Sequence, residues 1–407
     1  MEVRQGNQQT EVGVIPSDWD VKRLGEIGET LIGLTYKPIE VRDHGTLVLR
    51  SSNIQNDTLA FDDNVFVDTD IPDRIMVRPN DVLICVRNGS RDLIGKSALL
   101  DEGTKGMTFG AFMAVYRSPI GKLASYLFQS PILKRQINEH LGATINQITN
   151  KSLNAFLVPV PRSEAEQRAI ATALSDVDAL LDGLTRLIAK KRDLKQATMQ
   201  QLLTGQTRLP GFSGGWEIKR LGEIAQIQRG ASPRPIDSPI WFSGNSSIGW
   251  VRISDVSRSG IFLTETVQHL SLLGVQHSRP VKSGSLIMSI CATVGRPIIT
   301  SIDVCIHDGF VVFDELRADK SYLYYVLKWI EPEWSKHGQT GSQMNLNTSL
   351  INGTSVHFPP VQEQTAIAAI LSDMDAELTA LEARLTKTRA LKQAMMQELL
   401  TGRIRLL

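Results

Sequence analysis

Near the end of the sequence, Ala390–Leu406 reads "ALKQAMMQELLTGRIRL", and Asp193–Leu209 reads "DLKQATMQQLLTGQTRL". The two stretches lie 197 residues apart in a chain of 407. Working outward from them, 166–209 laid over 363–406 without a gap shows 26 identities in 44 positions. The landmarks coincide: Glu166-Gln167 with Glu363-Gln364, Ser175-Asp176 with Ser372-Asp373, Leu202–Gly205 with Leu399–Gly402. A second repeat has the same offset, since "WDVKRLGEI" (Trp19–Ile27) returns as "WEIKRLGEI" (Trp216–Ile224). Each half therefore has one order: a Trp-initiated segment, a divergent stretch of roughly 120 residues, then the repeated tract. Duplication followed by divergence of the middle explains like frames with unlike contents. It suggests that the frame holds geometry and the middle holds specificity.

The repeated tracts predict long helices. Residues 164–204 contain no proline and one glycine, Gly183. Apolar residues step by four and three at Ile170, Leu174, Val177, Leu181, Leu184 and Ile188. The second copy repeats this at Ile367, Leu371, Met374, Leu378, Leu381 and Leu385. A 3–4 rhythm is a coiled-coil seam, whose natural partner is the other copy in the same chain. Lys191 and Thr388 interrupt the row, and Leu194 and Leu391 are expected to restart it one step out of phase. Pro159, Pro161, Pro359 and Pro360 precede the helices, and Gly205 and Gly402 are placed to end them. Some 40 residues at 1.5 Å each make a rod of about 60 Å.

The middles read as short β-rich runs bounded by turn residues. In half one these are "TLVLRSSNI", "NVFVDTD", "DVLICVRNGS", "IGKSALL" and "TFGAFMAVYR"; in half two, "IGWVRISDV", "GSLIMSICAT", "VGRPIITSI" and "IHDGFVVFDEL". A helix-like stretch follows in both, "KLASYLFQSPILKRQINEHL" and "SYLYYVLKWIEPEWSKH". Several strands run into loops rich in Arg, Asn, Ser, Thr and Gln. Arg forks suit guanine or phosphate, Asn and Gln amides suit adenine, and hydroxyls take phosphate oxygens. The candidate DNA contacts are Lys37, Arg50, Ser51, Asn53, Arg87, Asn88, Ser90, Arg91, Lys96, Asn146 and Gln147 in half one. In half two they are Arg229, Arg234, Arg252, Ser254, Ser289, Thr293, Arg296, Gln339, Thr340, Ser342, Gln343 and Asn345. Each is also what an ordinary solvated loop contains.

The bulk numbers set the bounds. The length favours two to three domains. Apolar residues are 42% of the chain, no run approaches the ~18 residues of a membrane span, and the first residues are polar. An intracellular protein is expected. Cys85, Cys291 and Cys305 form no Cys-x-x-Cys pair, which predicts reduced thiols without structural metal. The net charge of +1 neither supports nor excludes nucleic acid, because binding needs a local basic face.

A search for catalytic motifs returns nothing. No Asn/Asp-Pro-Pro-aromatic tetrapeptide, phosphate loop or Gly-x-Gly-x-x-Gly occurs, and "IPDRIMVRPND" lacks the acid-x-lysine of a metal-dependent nuclease. The seven histidines show no ligand spacing, and His307-Asp308 reads as structural or binding because no nucleophile accompanies it.

Two variable regions, each opened by "W…RLGEI" and closed by a Pro-rich turn, "EQ" and a helix ending "LKQA…LLTG", resemble the specificity subunit of a type I restriction–modification system. "DVLICVRNGS…IGKSA", with its counterpart "GSLIMSICATVGRP", resembles the signature strand–loop of that family's target recognition domains. The resemblance covers essentially the whole chain. It implies a mixed α/β fold with target recognition domains at 1–160 and 207–360. These would alternate with helices at 161–206 and 361–407, paired as an antiparallel coiled coil with pseudo-two-fold symmetry. It implies a non-catalytic, cytoplasmic subunit of a bacterium or archaeon that reads a bipartite, asymmetric site on double-stranded DNA, one half per recognition domain. It further implies docking of two methyltransferase subunits, which carry S-adenosylmethionine, and association with restriction subunits. No cofactor or metal is expected on this chain itself. Two other readings remain open at this stage: a fused or degenerate DNA methyltransferase/endonuclease with unrecognised motifs, and a coiled-coil scaffold with two ligand-binding domains.

Overall fold

The computed structural model describes residues 6–142, 146–336 and 346–406. Two helices dominate it, a central one at Glu164–Leu203 and a C-terminal one at Val361–Leu399. The central helix opens at Ser163, whose hydroxyl accepts the Glu166 N–H at 3.3 Å. Gly205 and Gly402, at φ +71° and +69°, take the left-handed conformation that follows a helix C-terminus. The chain forms two compact units whose borders cut through both helices: residues 1–185 with 383–407, and residues 186–382. Each unit thus holds the start of one long helix and the end of the other.

In the first unit the strand frame comprises β1 (Trp19–Arg23), β2 (Glu29–Ile32), β3 (Thr46–Leu49), β4 (Val82–Cys85), β5 (Ser97–Leu99), β6 (Thr108–Phe109), β7 (Met113–Arg117) and β8 (Leu157–Pro161). An antiparallel sheet runs β5-β4-β7-β2, β6 lies parallel to β3, and β1 pairs antiparallel with β8. β4 is buried on both faces, which is why "VLIC" reads as a continuous apolar run rather than an alternating one.

The second unit contains β9 (Glu217–Arg220), β10 (Gln226–Arg229), β11 (Gly249–Val251), β12 (Leu286–Ser289), β13 (Pro297–Thr300), β14 (Val304–Ile306), β15 (Phe310–Asp314) and β16 (Ser355–Phe358). Its pairings repeat the order: β10-β15-β12-β13 antiparallel, β11 parallel to β14, β9 antiparallel to β16. The repeated "RLGEI" is a strand-to-helix corner in both. Leu24 and Leu221 are fully buried, and the Glu26 and Glu223 carboxylates accept the Arg23 and Arg220 N–H at 3.0 and 2.7 Å.

Of the twelve seam positions, Ile170, Leu174, Leu184, Ile188, Ile367, Leu371 and Leu378 are buried, and Val177, Leu181, Met374, Leu381 and Leu385 are half-buried. The expected phase break does not occur. Leu194 and Leu391 are 50% and 52% exposed, and the 3–4 rhythm continues unbroken through Lys191 and Lys195, and through Thr388 and Lys392. Three lysines hold seam positions because each finds a carboxylate. In the second unit Lys195 pairs with Asp375 at 2.5 Å and Lys191 with Glu377 at 2.7 Å; in the first, Lys392 pairs with Asp178 at 2.7 Å. Within the second unit the paired positions run in opposite directions along the two helices, from Lys195–Asp375 to Arg192–Glu382. In the first unit Ile170 and Leu174 share a core with Met396, Leu399 and Leu400; in the second, Met199, Leu202 and Leu203 share one with Ile367 and Leu371.

A buried carboxylate ties each helix start to the tail that follows the other helix. Glu166 is 3% and Glu363 0% exposed. Trp19 and Trp216 donate their indole N–H to these carboxylates at 3.2 and 3.1 Å. Arg405 and Arg208 grip them with both fork nitrogens and lie 5.8 and 5.4 Å from the centres of the same tryptophan rings. In the first unit Asp18 adds a second carboxylate to Arg405, at 2.8 Å. Gly215 occupies the equivalent position in the second unit, where Arg208 donates instead to the Gly214 carbonyl. Replacing Arg405 with alanine would strand Glu166 in the core, and a broken buried pair costs on the order of 3 kcal/mol. The denaturant midpoint of the first unit is expected to fall accordingly, with the second unit unchanged. A loss below ~1 kcal/mol would mean that Glu166 is hydrated without its partner.

Candidate nucleic-acid interface

β3 ends at Leu49 and β4 at Cys85, and the arginines just beyond them, Arg50 and Arg87, emerge side by side at one end of the strand frame. Arg50, Ser51, Arg87 and Asn88 line a cleft of about 550 Å³ together with Tyr36, Ser52, Asp63 and Phe112. Gly33 permits this arrangement. A Cβ there would lie 2.2 Å from the Gly110 carbonyl, so only glycine lets the 34–37 segment approach the loop after β6. Leu34 N–H donates to Phe109 at 2.7 Å and Ala111 N–H to Leu34 at 2.9 Å.

Within the cleft Arg50 donates to Asp63 at 2.8 Å, and its buried Nε has no partner among the described residues. Asn88 donates to the Ser51 hydroxyl at 3.3 Å. Arg87 is exposed, with its guanidinium 5.1 Å from the centre of the Phe112 ring. Phe112 is itself 59% exposed, a large ring left in water at the lip of the cleft. Gln147 bridges Arg87 through the backbone, Asn146 donates to the Gly89 carbonyl at 3.4 Å, and the exposed Lys37 follows Tyr36. Ser90 is exposed next to this group.

Three residues predicted in the first half lie elsewhere or do other work. Asn53 is fully buried: its amide oxygen accepts the Arg50 N–H at 2.9 Å and its NH2 reaches Ala60 at 2.9 Å, so it shapes the loop. Arg91 donates to the Asn138 carbonyl at 3.0 Å, and with Lys96 it lines a separate concavity beside Lys134.

The second unit sets the same scaffold positions with different chemistry. Gly230 makes the approach of Gly33, its added Cβ falling 2.1 Å from the His307 carbonyl. Arg252 follows β11 as Arg50 follows β3. Its N–H donates to buried Asp255 at 2.9 Å, and its Nε donates to Gln268 at 2.7 Å. Arg229 donates to the Asp308 carbonyl at 2.7 Å, Arg234 to the Asp308 carboxylate at 3.0 Å, and Ser232 to the same carboxylate at 2.7 Å. Burial alone would raise the Asp308 carboxyl, but Ser232, Arg234 and His307 outweigh it and hold it below the usual carboxylate range. Burial lowers His307, against the pull of Asp308, so its ring is neutral at physiological pH. The Gly309 N–H donates to its Nδ1 at 2.9 Å, which leaves Nε2 as the protonated nitrogen. Ser254 is exposed on the short helix Ile253–Arg258 that follows Arg252.

Two further predicted contacts are corrected. Ser289 is fully buried and its hydroxyl closes the loop onto Thr293 and Arg296; Thr293 contributes its carbonyl to that closure. Arg296 is not the counterpart of Arg87. Ile148 donates to Val86 at 2.8 Å and Leu346 to Ile290 at 3.0 Å, which makes Val86 equivalent to Ile290, Arg87 to Cys291, and Lys96 to Arg296. Arg296 binds Glu331 at 3.2 Å, shared with Lys328 at 2.6 Å. Gln339, Thr340, Ser342, Gln343 and Asn345 lie outside the described residues.

Sequence reading missed Tyr36, Asp63 and Phe112, which are brought to the cleft by loops distant in sequence. Asp308, read with His307 as structural or binding, is held by Arg229, Ser232 and Arg234. The only local signal was a lone phenylalanine in a Gly-Ala-Phe loop. Burial disfavours the thiolate at all three cysteines: it raises Cys85 and Cys291, and pushes Cys305 up to about 11. Among the described residues, no group of three or more His, Cys, Asp or Glu is placed to hold a metal, and no helix is long and apolar enough to cross a membrane.

Comparison with known proteins agrees with the doubled frame. The family profile "Type I restriction modification DNA specificity domain" matches twice, over residues 16–191 and 213–389. The putative type I restriction enzyme MjaX specificity subunit of Methanocaldococcus jannaschii is 24% identical, over 98% of this chain and 96% of its own. The EcoKI specificity subunit of Escherichia coli is 23% identical over 97% and 90%. Among solved structures, the type I restriction–modification S subunit from M. genitalium superposes with a TM-score of 0.60 at 16% identity, covering 98% of both chains. Two matches that together span most of the sequence, each falling on one strand frame and one long helix, place this chain in the type I restriction–modification DNA specificity domain family.

Proposed function

We propose that this chain is the DNA-sequence-specificity subunit of a type I restriction–modification system and that it does no chemistry itself. Each unit reads one half of a bipartite, asymmetric site on double-stranded DNA, and a spacer of unread base pairs separates the halves. The observation that carries this reading is one scaffold with two chemistries. The strand order, the close glycine and the loop-mouth arginine (Arg50, Arg252) recur, while Arg87 and Phe112 in one unit stand where Cys291 and Gly309 stand in the other. Arginine forks and amides at loop mouths are the groups that read guanine and adenine edges in the major groove.

The two long helices act as an antiparallel coiled-coil ruler, which gives the halves a pseudo-two-fold relation. Ion pairs that step in opposite directions along the helices of the second unit support that pairing. A rod of about 60 Å is long enough to hold two readers about one helical turn apart, ~34–36 Å on B-DNA. The duplicated frame offers equivalent surfaces to two methyltransferase subunits. These would carry S-adenosylmethionine and methylate adenine in each half-site, with restriction subunits joining that core. The chain works in the cytoplasm, beside the DNA it reads.

Two outcomes are expected. Alanine at Arg50 or Arg87 should weaken specific binding by ~1–3 kcal/mol each, measured by fluorescence anisotropy of the methyltransferase complex at fixed salt. Alanine at Arg296 should leave it unchanged, and normal affinity in both cleft mutants would remove this cleft from the interface. Methylome sequencing of a host carrying the complete system should reveal one bipartite motif. Deleting a heptad from both helices should then change its spacer and keep its bases; altered bases at an unchanged spacer would refute the division of labour.

A further inference from the structure

Each unit contains a three-way junction of tyrosine, aspartate and lysine at the seam. In the first, the Tyr126 hydroxyl, on the short helix Gly121–Gln129, donates to Asp178 at 2.9 Å. Lys392 donates to the other Asp178 oxygen at 2.7 Å and sits 5.6 Å from the centre of the Tyr126 ring. In the second, the Tyr325 hydroxyl, on the helix Lys320–Lys336, donates to Asp375 at 2.8 Å. Lys195 pairs with Asp375 at 2.5 Å and lies 5.6 Å from the centre of the Tyr325 ring. Each junction ties a recognition domain's own helix to both long helices.

The lysines are 17% and 18% exposed and the aspartates 35% and 21%. Charges this sheltered are weakly screened, and neither tolerates an apolar opposite. A slip of one heptad tests that. It would set Asp375 against Ile188 or Leu202 and Asp178 against Leu385 or Leu399, while Lys392 would face Ala171 or Thr185. The apolar seam alone does not forbid such a slip, since Leu, Ile and Met exchange for one another at these positions. The two aspartates do, because either slip leaves both of them against apolar side chains, even though one slip brings Glu382 to Lys195.

We propose that Tyr126–Asp178–Lys392 and Tyr325–Asp375–Lys195 are positioning residues that lock the helix register and so set the spacer of the recognised DNA site. The proposal rests on the functional reading above and adds the residues that fix its ruler. The bases read belong to the clefts; the distance between them belongs to these two junctions. The sequence shows why the tracts are written twice, because each "LKQA" supplies its lysine to the unit that holds the other helix's start.

The test uses the full chain with its methyltransferase partner in a host, with spacer length read from methylated motifs. The reversal Asp375→Lys sets two ammonium groups against each other. It should cut discrimination between the native spacer and spacers one base pair longer or shorter by about tenfold, with half-site bases unchanged. The exchange Lys195→Asp with Asp375→Lys should restore it. Tyr126→Phe with Tyr325→Phe keeps the packed rings, guards against a reversal that fails to fold, and should broaden the spacer in the same sense. Wild-type spacer discrimination in folded variants, judged by helical circular dichroism, overturns the proposal. A wild-type chain that directs no bipartite methylation overturns the functional reading itself, and the spacer role with it.

Discussion

A carboxylate with almost no exposure is the constraint from which the architecture follows. Glu166 and Glu363 open the two long helices, and a bare carboxylate in such a place would be costly enough to unfold its surroundings. Each is satisfied by an indole N–H from the start of its own half and by a guanidinium from the tail beyond the opposite helix. The chain must therefore bring the end of one helix to the beginning of the other, in both units. The "RLGEI" corner, the tryptophan before it and the "LLTG…RL" tail are parts of that single requirement. This is why they recur together at one offset.

Within this frame the two recognition domains are free to differ. The frame specifies where β3 and β11 end, where β4 and β12 turn, and how closely Gly33 and Gly230 let a loop approach. It does not specify the side chains that sit at those ends. In the first unit the loop mouths carry two arginines and an exposed aromatic ring; in the second, an aspartate is held among two arginines and a serine, beside a neutral imidazole. Donors dominate the first and a fixed acceptor is added in the second. One scaffold thus presents two different polar surfaces.

The frame was legible in the sequence because it is local and doubled. Trp19, Glu166 and Gly205 each announced themselves by returning 197 residues later. The seam was legible only while it stayed apolar. Lys191 looked like a break, and Lys195 and Lys392 went unread as seam positions, because their partners, Glu377, Asp375 and Asp178, are brought to them from the other helix, a pairing no window along the chain contains. The clefts were half legible. Arg50, Ser51, Arg87 and Asn88 do share one concavity, but Asn53 and Ser289 had the right chemistry and spend it on their own loops. Arg296 had the right chemistry too, but hydrogen bonding from Ile148 and Leu346 aligns it with Lys96, so Cys291 rather than Arg296 stands at the place of Arg87.

The residues after β4 and after β12 begin at equivalent places and end at equivalent places, and the length between them differs. Insertion there lengthens a loop that faces the cleft without disturbing either strand, because Ser97 and Pro297 rejoin the sheet in the same position. A change of four residues, the difference between those loops, inside one long helix would displace every later seam residue by about 6 Å along the axis and roughly 40° around it, and the two junctions could not both stay paired. Loops can therefore vary in length as well as chemistry while the helices cannot. The physical asymmetry between a tolerant loop and an intolerant seam is enough to keep what is read separate from how far apart it is read.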